Sequence, residues 1–236
     1  MEFGDSFYSS SKPTTRFKII QTDQSRDLFL SSRCEDLSIA QLESVEADGL
    51  IVSSVAGEVS RDFMEEASRT FRHVTLDPQG QVRSFDSSGR CSLSHKLDLE
   101  ILRNVNTIKI GEDELPLIAG TSDRGQALAK IRGRGPENIL LTNSEGEVWV
   151  ATPETTYSIH IPMAQPIDTT GLGDIFIGAY ADTYLKDGDA AWSACMAVSA
   201  VQLSLNGVGI SKIPVEPLIR ENAEKISETV QQMDQF

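Results

Sequence analysis

The stretch Asp168-Thr169-Thr170-Gly171-Leu172-Gly173-Asp174-Ile175-Phe176-Ile177-Gly178-Ala179 decides how the chain is read. Two threonines and two glycines precede an apolar, helix-forming run. Glycine lets backbone approach a ligand closely, and threonine is a common helix N-cap. The open N–H groups of a helix start, with the helix dipole, make a place for an anion. Asp174 falls in the first turn, beside that place. An anion cradle next to a potential base suits a reaction in which negative charge develops, such as phosphoryl transfer. The same residues also describe a capped helix with glycines for close packing, and spacing alone does not choose between the two.

Downstream, helical patterns run from about Leu172 to Lys186, Ala190 to Leu205 and Val215 to Gln232, with Gly188 and Asn206-Gly207 as stops. Upstream, Glu147–Ala151 and Thr156–Ile161 flank a Pro-containing turn and predict an antiparallel pair at a sheet edge. Before them come short apolar runs at 48–53, 73–76, 106–110 and 139–142, of the kind buried on both faces of a parallel sheet. Helical patterns at 36–45, 59–71, 97–102, 112–119 and 122–132 flank and separate them. Repeated strand–helix units predict an α/β fold, a doubly wound, mostly parallel sheet with its ligand at the carboxyl ends of the strands. Ahead of these units, Thr14–Ile20 and Arg26–Ser32 flank the turn Thr22-Asp23-Gln24-Ser25 and predict a β-hairpin. Two strands alone are marginal in water, so this hairpin needs a surface: a site to cover as a lid, or another subunit. The expected division is a lid segment at 1–35 and an α/β domain at 36–236.

Composition narrows the partners. The 236 residues are 39% hydrophobic and 24% charged, with a formal net charge of -14. An acidic surface repels phosphate backbones, so nucleic acid is not an expected partner. A nucleotide site must therefore supply its own local positive field. No apolar run reaches membrane-spanning length, and Met1–Lys12 is too polar for a signal peptide. Three widely spaced cysteines, Cys34, Cys91 and Cys195, fit a reducing, cytoplasmic compartment and show no metal spacing.

Other candidates lie at predicted strand ends. Lys109 closes the third parallel strand and is followed by Glu112, Asp113 and Glu114. A carboxylate there could hold Mg²⁺ through water, or simply favour a helix dipole. In Asp77-Pro78-Gln79-Gly80-Gln81-Val82-Arg83, Gln79 and Arg83 could hydrogen-bond a polar ligand, or belong to an ordinary turn. No P-loop is present. Gly171-x-Gly173 lacks the third glycine of a dinucleotide fingerprint and follows an antiparallel pair.

Asp168–Ala179 resembles the C-terminal signature of the ribokinase-like (PfkB-type) carbohydrate kinases: both glycines, both aspartates, the phenylalanine and Gly178-Ala179 fall in place. Thr14-Thr15-Arg16-Phe17 resembles the start of the family's lid, and Lys109-Ile110-Gly111-Glu112-Asp113-Glu114 its Lys followed by Asn-x-x-Glu. Ala194–Pro214 resembles the helix and glycine turn that close the nucleotide pocket. Val55–Val59 and Leu76–Gly80 look most like the archaeal-type branch that includes inositol kinases.

The resemblance implies ATP-dependent phosphorylation of a hydroxyl on a small sugar or polyol, with myo-inositol the expected acceptor. Asp174 would be the base, and the backbone of Gly171, Leu172 and Gly173 the anion hole. Glu114 would organise Mg²⁺. Lys109, Thr142, Ser144, Gly146, Asn206 and Gly207 would border the nucleotide, and Gln79 and Arg83 the acceptor. Asp168 and Thr170 lie where some members bind a monovalent cation. Three features depart from the family pattern: the first strand–helix units with their Gly-Gly substrate motif are absent, Gly111 replaces an asparagine, and Thr142–Gly146 is one residue short. A shortened chain, or cover by another subunit, is expected from the first, since an open sheet would expose unpaired edge groups. A homodimer through the hairpin is the expected assembly. The competing expectation is a catalytically weak nucleotide- or polyol-binding protein on a kinase scaffold.

Overall fold

In the computed structural model, which describes residues 11–22, 26–43, 45–160 and 167–233, the first element is the antiparallel ribbon β1 (Arg16–Gln21) and β2 (Arg26–Ser32). The parallel units follow: β3 (Gly49–Val52), α1 (Arg61–Thr70), β4 (His73–Leu76) and the single turn α2 (Gln79–Val82). A second small ribbon, β5 (Arg83–Phe85) with β6 (Cys91–Leu93), precedes β7 (Thr107–Gly111), α3 (Leu115–Ile118), α4 (Arg124–Arg132) and β8 (Asn138–Thr142). Then come β9 (Glu147–Ala151), β10 (Thr156–His160), α5 (Leu172–Asp187), α6 (Ala190–Ser204), α7 (Glu216–Ser227) and β11 (Gln231–Met233). The central sheet runs β11-β10-β9-β8-β7-β4-β3; β3, β4, β7 and β8 are parallel and the other three antiparallel. No helix of the described residues is long and apolar enough to cross a membrane.

Period-two alternation explains why both faces are filled. On β7, Ile108 and Ile110 are fully buried in the core shared with α1, α3 and α4. Thr107 and Lys109 point the other way, toward α5. There Leu140, Val150 and Ile159 pack against Phe176 and Tyr180 of α5 and the small-residue α6. Each fully buried aliphatic side chain contributes roughly 1.5–3 kcal/mol. Side-chain caps start the helices: Ser60 accepts from the Phe63 N–H (3.1 Å), Asp123 from Gln126 (2.8 Å) and Asp189 from Trp192 (2.9 Å).

Four local expectations change. The helix at 36–45 is one 3₁₀ turn, Ile39–Gln41, too short to nucleate α-helix on its own. The helix at 97–102 is likewise a 3₁₀ segment, Leu99–Asn104. The β5–β6 ribbon went unread, since each strand is only three residues long. The last helix stops at Ser227, and Gln231–Met233 pairs with Thr156–Ser158 instead, so β11 and not the β9–β10 pair forms the sheet edge. The turn expected at Thr22–Ser25 lies beyond Thr22 outside the described residues, as does Ile161, the last residue expected in its strand.

The β1–β2 ribbon has its surface within the chain. Leu30 N–H donates to the Gly89 carbonyl at 2.8 Å, Arg90 pairs with Asp27 at 2.8 Å, and Phe17 tilts against Phe85. The β5–β6 ribbon is thus the platform on which the first ribbon rests.

Candidate active site

The carboxyl ends of the parallel strands carry small or polar residues: Ser53 after β3, Asp77 after β4, Gly111 on β7 and its register partner Thr142 on β8. Above this edge lies a cleft of about 590 Å³. One wall is the loop from Thr169 to Asp174, the start of α5. The floor holds Asp77, Lys109 and Glu114, and the roof is β1–β2 with Phe17, Arg26 and Leu28. A separate groove of about 510 Å³ follows the open edge of β3. Its one carboxylate, Glu58, is already engaged by the N–H groups of Val55 and Ala56, so that groove offers little chemistry.

Gly171 caps α5 with φ +77°, a left-handed conformation that a side chain would strain. The Ile175 N–H closes the first helical bond onto the Gly171 carbonyl (2.9 Å), and the Leu172 N–H turns to the Thr169 carbonyl (3.4 Å). Leu172 does not line the cleft, whereas Gly171 and Gly173 do. The anion-accepting part of the turn is therefore narrower than the sequence suggests. Asp174 is exposed to the cleft, and its Oδ1 accepts from Ser53 Oγ at 3.0 Å.

Lys109 and Asp77 form a buried ion pair at 3.1 Å. The other Asp77 oxygen accepts from the Gln79 N–H (3.0 Å), which holds α2 at the strand end. The Lys109 ammonium also reaches the start of α5: a Cβ on Gly173 would stand 3.3 Å from Nζ. A side chain there would press on the lysine tip. Lys109, expected to border the nucleotide, sits in the cleft floor between Asp77 and the α5 turn. Glu114 accepts from the Gly111 N–H at 2.8 Å. Burial pushes its carboxyl up to about 7, the Gly111 bond opposes this, and nearby Asp77 adds to it. A Cβ on Gly111 would meet Asp113 Oδ1 at 2.7 Å, so a side chain there would have to displace the Asp113 carboxylate.

Gln79 and Arg83 both line the cleft with Asp174, as expected. Arg83 donates to the Val55 carbonyl (3.1 Å) and lies 5.7 Å from the Phe17 ring centroid; burial lowers its pKa from the ordinary value. Thr142, Ser144, Gly146, Asn206 and Gly207 do not line this cleft. Thr142 abuts Gly111 through the β7–β8 register, and Gly207 packs on Lys212 beside the Asp168–Thr170 loop.

The cation expected at Asp168 and Thr170 does not fit. The Lys212 ammonium donates to the carbonyls of Asp168 (3.1 Å) and Thr170 (2.8 Å) and stands 3.8 Å from the Asp168 carboxylate. A protein cation already holds the oxygens an ion would need. For Mg²⁺ the donors differ: no three His, Cys, Asp or Glu side chains are grouped for a metal among the described residues, but Asp113 and Glu114 line the cleft. Mg²⁺ keeps most of its water, so two such carboxylates fit it as water-mediated partners alongside a donor's phosphates.

Sequence reading missed three contributors. Ser53 follows a parallel strand, where the strand-end rule directs attention. Arg26 donates to the hydroxyls of Thr169 (2.7 Å) and Thr170 (2.9 Å) from the far end of the chain, and no local pattern marks it. Lys212 stands alone as a charge within Val208–Pro214, which was a usable signal. With Lys109 and Arg83, Arg26 supplies the cations of a cleft that is also lined by Asp27, Asp77, Asp113, Glu114 and Asp174.

Comparison with known proteins identifies the family and the fold. The pfkB family carbohydrate kinase profile matches residues 12–215. A deoxyribokinase of Salmonella typhi is 30% identical over 144 residues, covering 58% of this chain and 42% of its own length. An inositol 3-kinase of Zea mays is 30% identical over 182 residues, 72% of this chain and 45% of the relative. The chain thus spans somewhat under half the length of these two relatives. Among solved structures, a pyrophosphate-dependent kinase of the ribokinase family aligns with TM-score 0.74 at 21% identity, over 90% of this chain and 75% of the other. Arabidopsis thaliana ribokinase, complexed with ribose and ATP, aligns with TM-score 0.69 at 18% identity, over 91% and 70%. The chain has the ribokinase-like α/β fold and belongs to the pfkB family of carbohydrate kinases.

Proposed function

We propose that this chain is the catalytic part of an ATP-dependent kinase that phosphorylates a hydroxyl of a small polyol, with myo-inositol as acceptor. One observation carries this reading: the Asp174 carboxylate stands in the first turn of α5, in one cleft with Gly171, Gly173, Gln79 and Arg83. Asp174 takes the proton of the attacking hydroxyl as its oxygen bonds the terminal phosphorus; the bond to the leaving diphosphate breaks on the opposite side. Ser53, donating to one Asp174 oxygen, leaves the other for that proton. The Gly171–Gly173 turn and the Arg26 guanidinium meet the charge on the transferred group. Mg²⁺, bound through water to Asp113 and Glu114, would neutralise charge on the donor phosphates.

The acceptor side supports a polyol. Phe17 and Leu28 offer apolar faces for C–H groups, and Gln79 and Arg83 offer donors for hydroxyls. The likeness to the maize inositol 3-kinase supports myo-inositol within that class. For the donor, we assign the nucleotide to Thr142, Ser144 and Gly146, at and after the end of β8, and to Asn206 and Gly207 after α6. Ile167, next to Asp168, and Val208 and Ile210, in the segment that carries Lys212, are 67%, 61% and 89% exposed and offer apolar side chains to a purine base. The ribbon's Ile19 and Ile20, each 41% exposed, support a homodimer as the working assembly.

The test is product formation from myo-inositol, ribose, 2-deoxyribose and fructose with ATP or pyrophosphate as donor. Phosphorylated myo-inositol made from ATP is the expected product. Another phosphorylated sugar would reassign only the acceptor. ATP binding without any phosphorylated product would favour the weakly catalytic nucleotide-binding alternative.

A further inference from the structure

Lys212 is an unusual lysine. It lies in a 3₁₀ turn (Gly209–Lys212) between α6 and α7, and its side chain is only 2% exposed. Lysine is seldom so buried unless its ammonium has partners. Here the partners are backbone carbonyls of the loop that leads into α5: Asp168 at 3.1 Å and Thr170 at 2.8 Å, with the Asp168 carboxylate at 3.8 Å. The other oxygen of that carboxylate accepts from the Thr170 N–H at 2.8 Å, and this bond holds Asp168 below the ordinary carboxylate range. The lysine stem is equally fixed, since a Cβ on Gly207 would stand 2.3 Å from Lys212 Cβ.

This arrangement has a directional consequence. In a trans peptide the carbonyl and the following N–H point in opposite directions. An ammonium that holds the Thr170 carbonyl turns the Gly171 N–H away from itself. Lys212 does not line the cleft, and Gly171 does. The two carbonyls and one carboxylate oxygen are also the ligand types that a bound monovalent cation would require.

We propose that Lys212 is a positioning residue that acts as a tethered cation, fixing the Asp168–Gly171 peptides so that the anion site needs no monovalent ion. It rests on the kinase reading for its catalytic consequence, but the ion independence itself is read from the folded chain without turnover.

The experiment compares thermal midpoints of the native chain, Lys212→Arg and Lys212→Ala. Each is measured in about 0.1 M chloride of potassium, ammonium or the oversized tetramethylammonium, at matched ionic strength. The native midpoint should be the same in all three salts, within about 1 °C, as ion-linked stabilisation requires a binding site. Lys212→Ala should fall by roughly 5–10 °C in tetramethylammonium, because it leaves buried charge-accepting oxygens unpaired. Potassium or ammonium should restore at least half of that fall, and Lys212→Arg should need less restoration than Lys212→Ala. A native midpoint that rises with potassium, or a Lys212→Ala deficit equal in all three salts, overturns the proposal. Should Lys212→Ala not fold, the native response alone decides by the same criterion. ATP affinity followed in the same salts separates the two claims: a chain that binds no ATP but shows this salt pattern loses the kinase reading and keeps the tethered cation.

Discussion

The two charged faces of the cleft are built on opposite terms. The α5 wall is open to solvent, and its geometry is imposed by side chains from distant parts of the chain: Arg26 on Thr169 and Thr170, Ser53 on Asp174, Lys212 on Asp168 and Thr170. The floor is buried, and its charges constrain one another: Lys109 with Asp77, and Glu114 beside both. Weak, exposed bonds suit a wall that must accept and release a phosphoryl group. Buried charge suits a floor that must not move, because charges out of water tolerate little misplacement. At its exposed contacts, Arg26 and Ser53, the wall should therefore be adjustable by substitution at small cost to folding; the floor, like the buried Lys212 tether, should not.

The floor breaks most severely. Lys109→Met leaves the Asp77 carboxylate buried without its cation, and should cost about 3–5 kcal/mol, a fall in thermal midpoint of roughly 6–20 °C. Adding Asp77→Leu to that variant should recover most of the loss, since the pair's desolvation cost disappears with it. A Lys109→Met chain as stable as the native one would remove the contrast between wall and floor.

Glu114 sharpens the floor by pH. Its folded pKa of about 7 lies above the ordinary value of 4.5, so the folded chain keeps a proton that the unfolded chain releases. Stability from this group is therefore intact below about pH 4.5 and declines as pH rises through 7, by about 3 kcal/mol in all. Denaturant unfolding of native and Glu114→Gln chains should show curves that draw apart across that window, with the native chain losing relative stability. His73 runs the other way, because burial lowers it to about 4 and stability from it grows with rising pH. It is present in both chains, so their difference isolates Glu114. Parallel curves would contradict the buried, proton-holding Glu114.

The wall should respond least. Arg26→Ala removes two exposed hydrogen bonds and should shift the midpoint by no more than about 2 °C. Amide exchange in β1 and β2 should nonetheless quicken, because the ribbon loses one of its few ties to the α5 loop. A midpoint fall as large as that of Lys109→Met would show that the ribbon is part of the folding core.

The same contrast explains what was legible in the sequence. The α/β fold and four parallel strands follow from local periodicity, and Asp168–Ala179 marks the wall because a glycine turn and helix start are local. Asp77, Lys109 and Glu114 sit at strand ends, so the floor's members were nameable, but their pairing was not: it needs the β4–β7 register. Ser53, Arg26 and Lys212 reach the wall from 121, 143 and 42–44 residues away, beyond any local pattern. The monovalent ion expected at Asp168 and Thr170 has a competitor, Lys212, that no pattern local to them shows because it lies on another element. The short β11 strand exists because pairing with the distant β10 outweighs weak local preference, and β5–β6 was not legible because each strand has only three residues.

The account turns on Asp174 as the base of a phosphoryl transfer. Product formation from ATP and the best acceptor should be measured for native and Asp174→Asn chains side by side, with ATP affinity determined for both by calorimetry. A fall in turnover of about 10²–10⁴-fold, with ATP affinity within about threefold of native, is the predicted result. An Asp174→Asn chain that turns over at the native rate would contradict it.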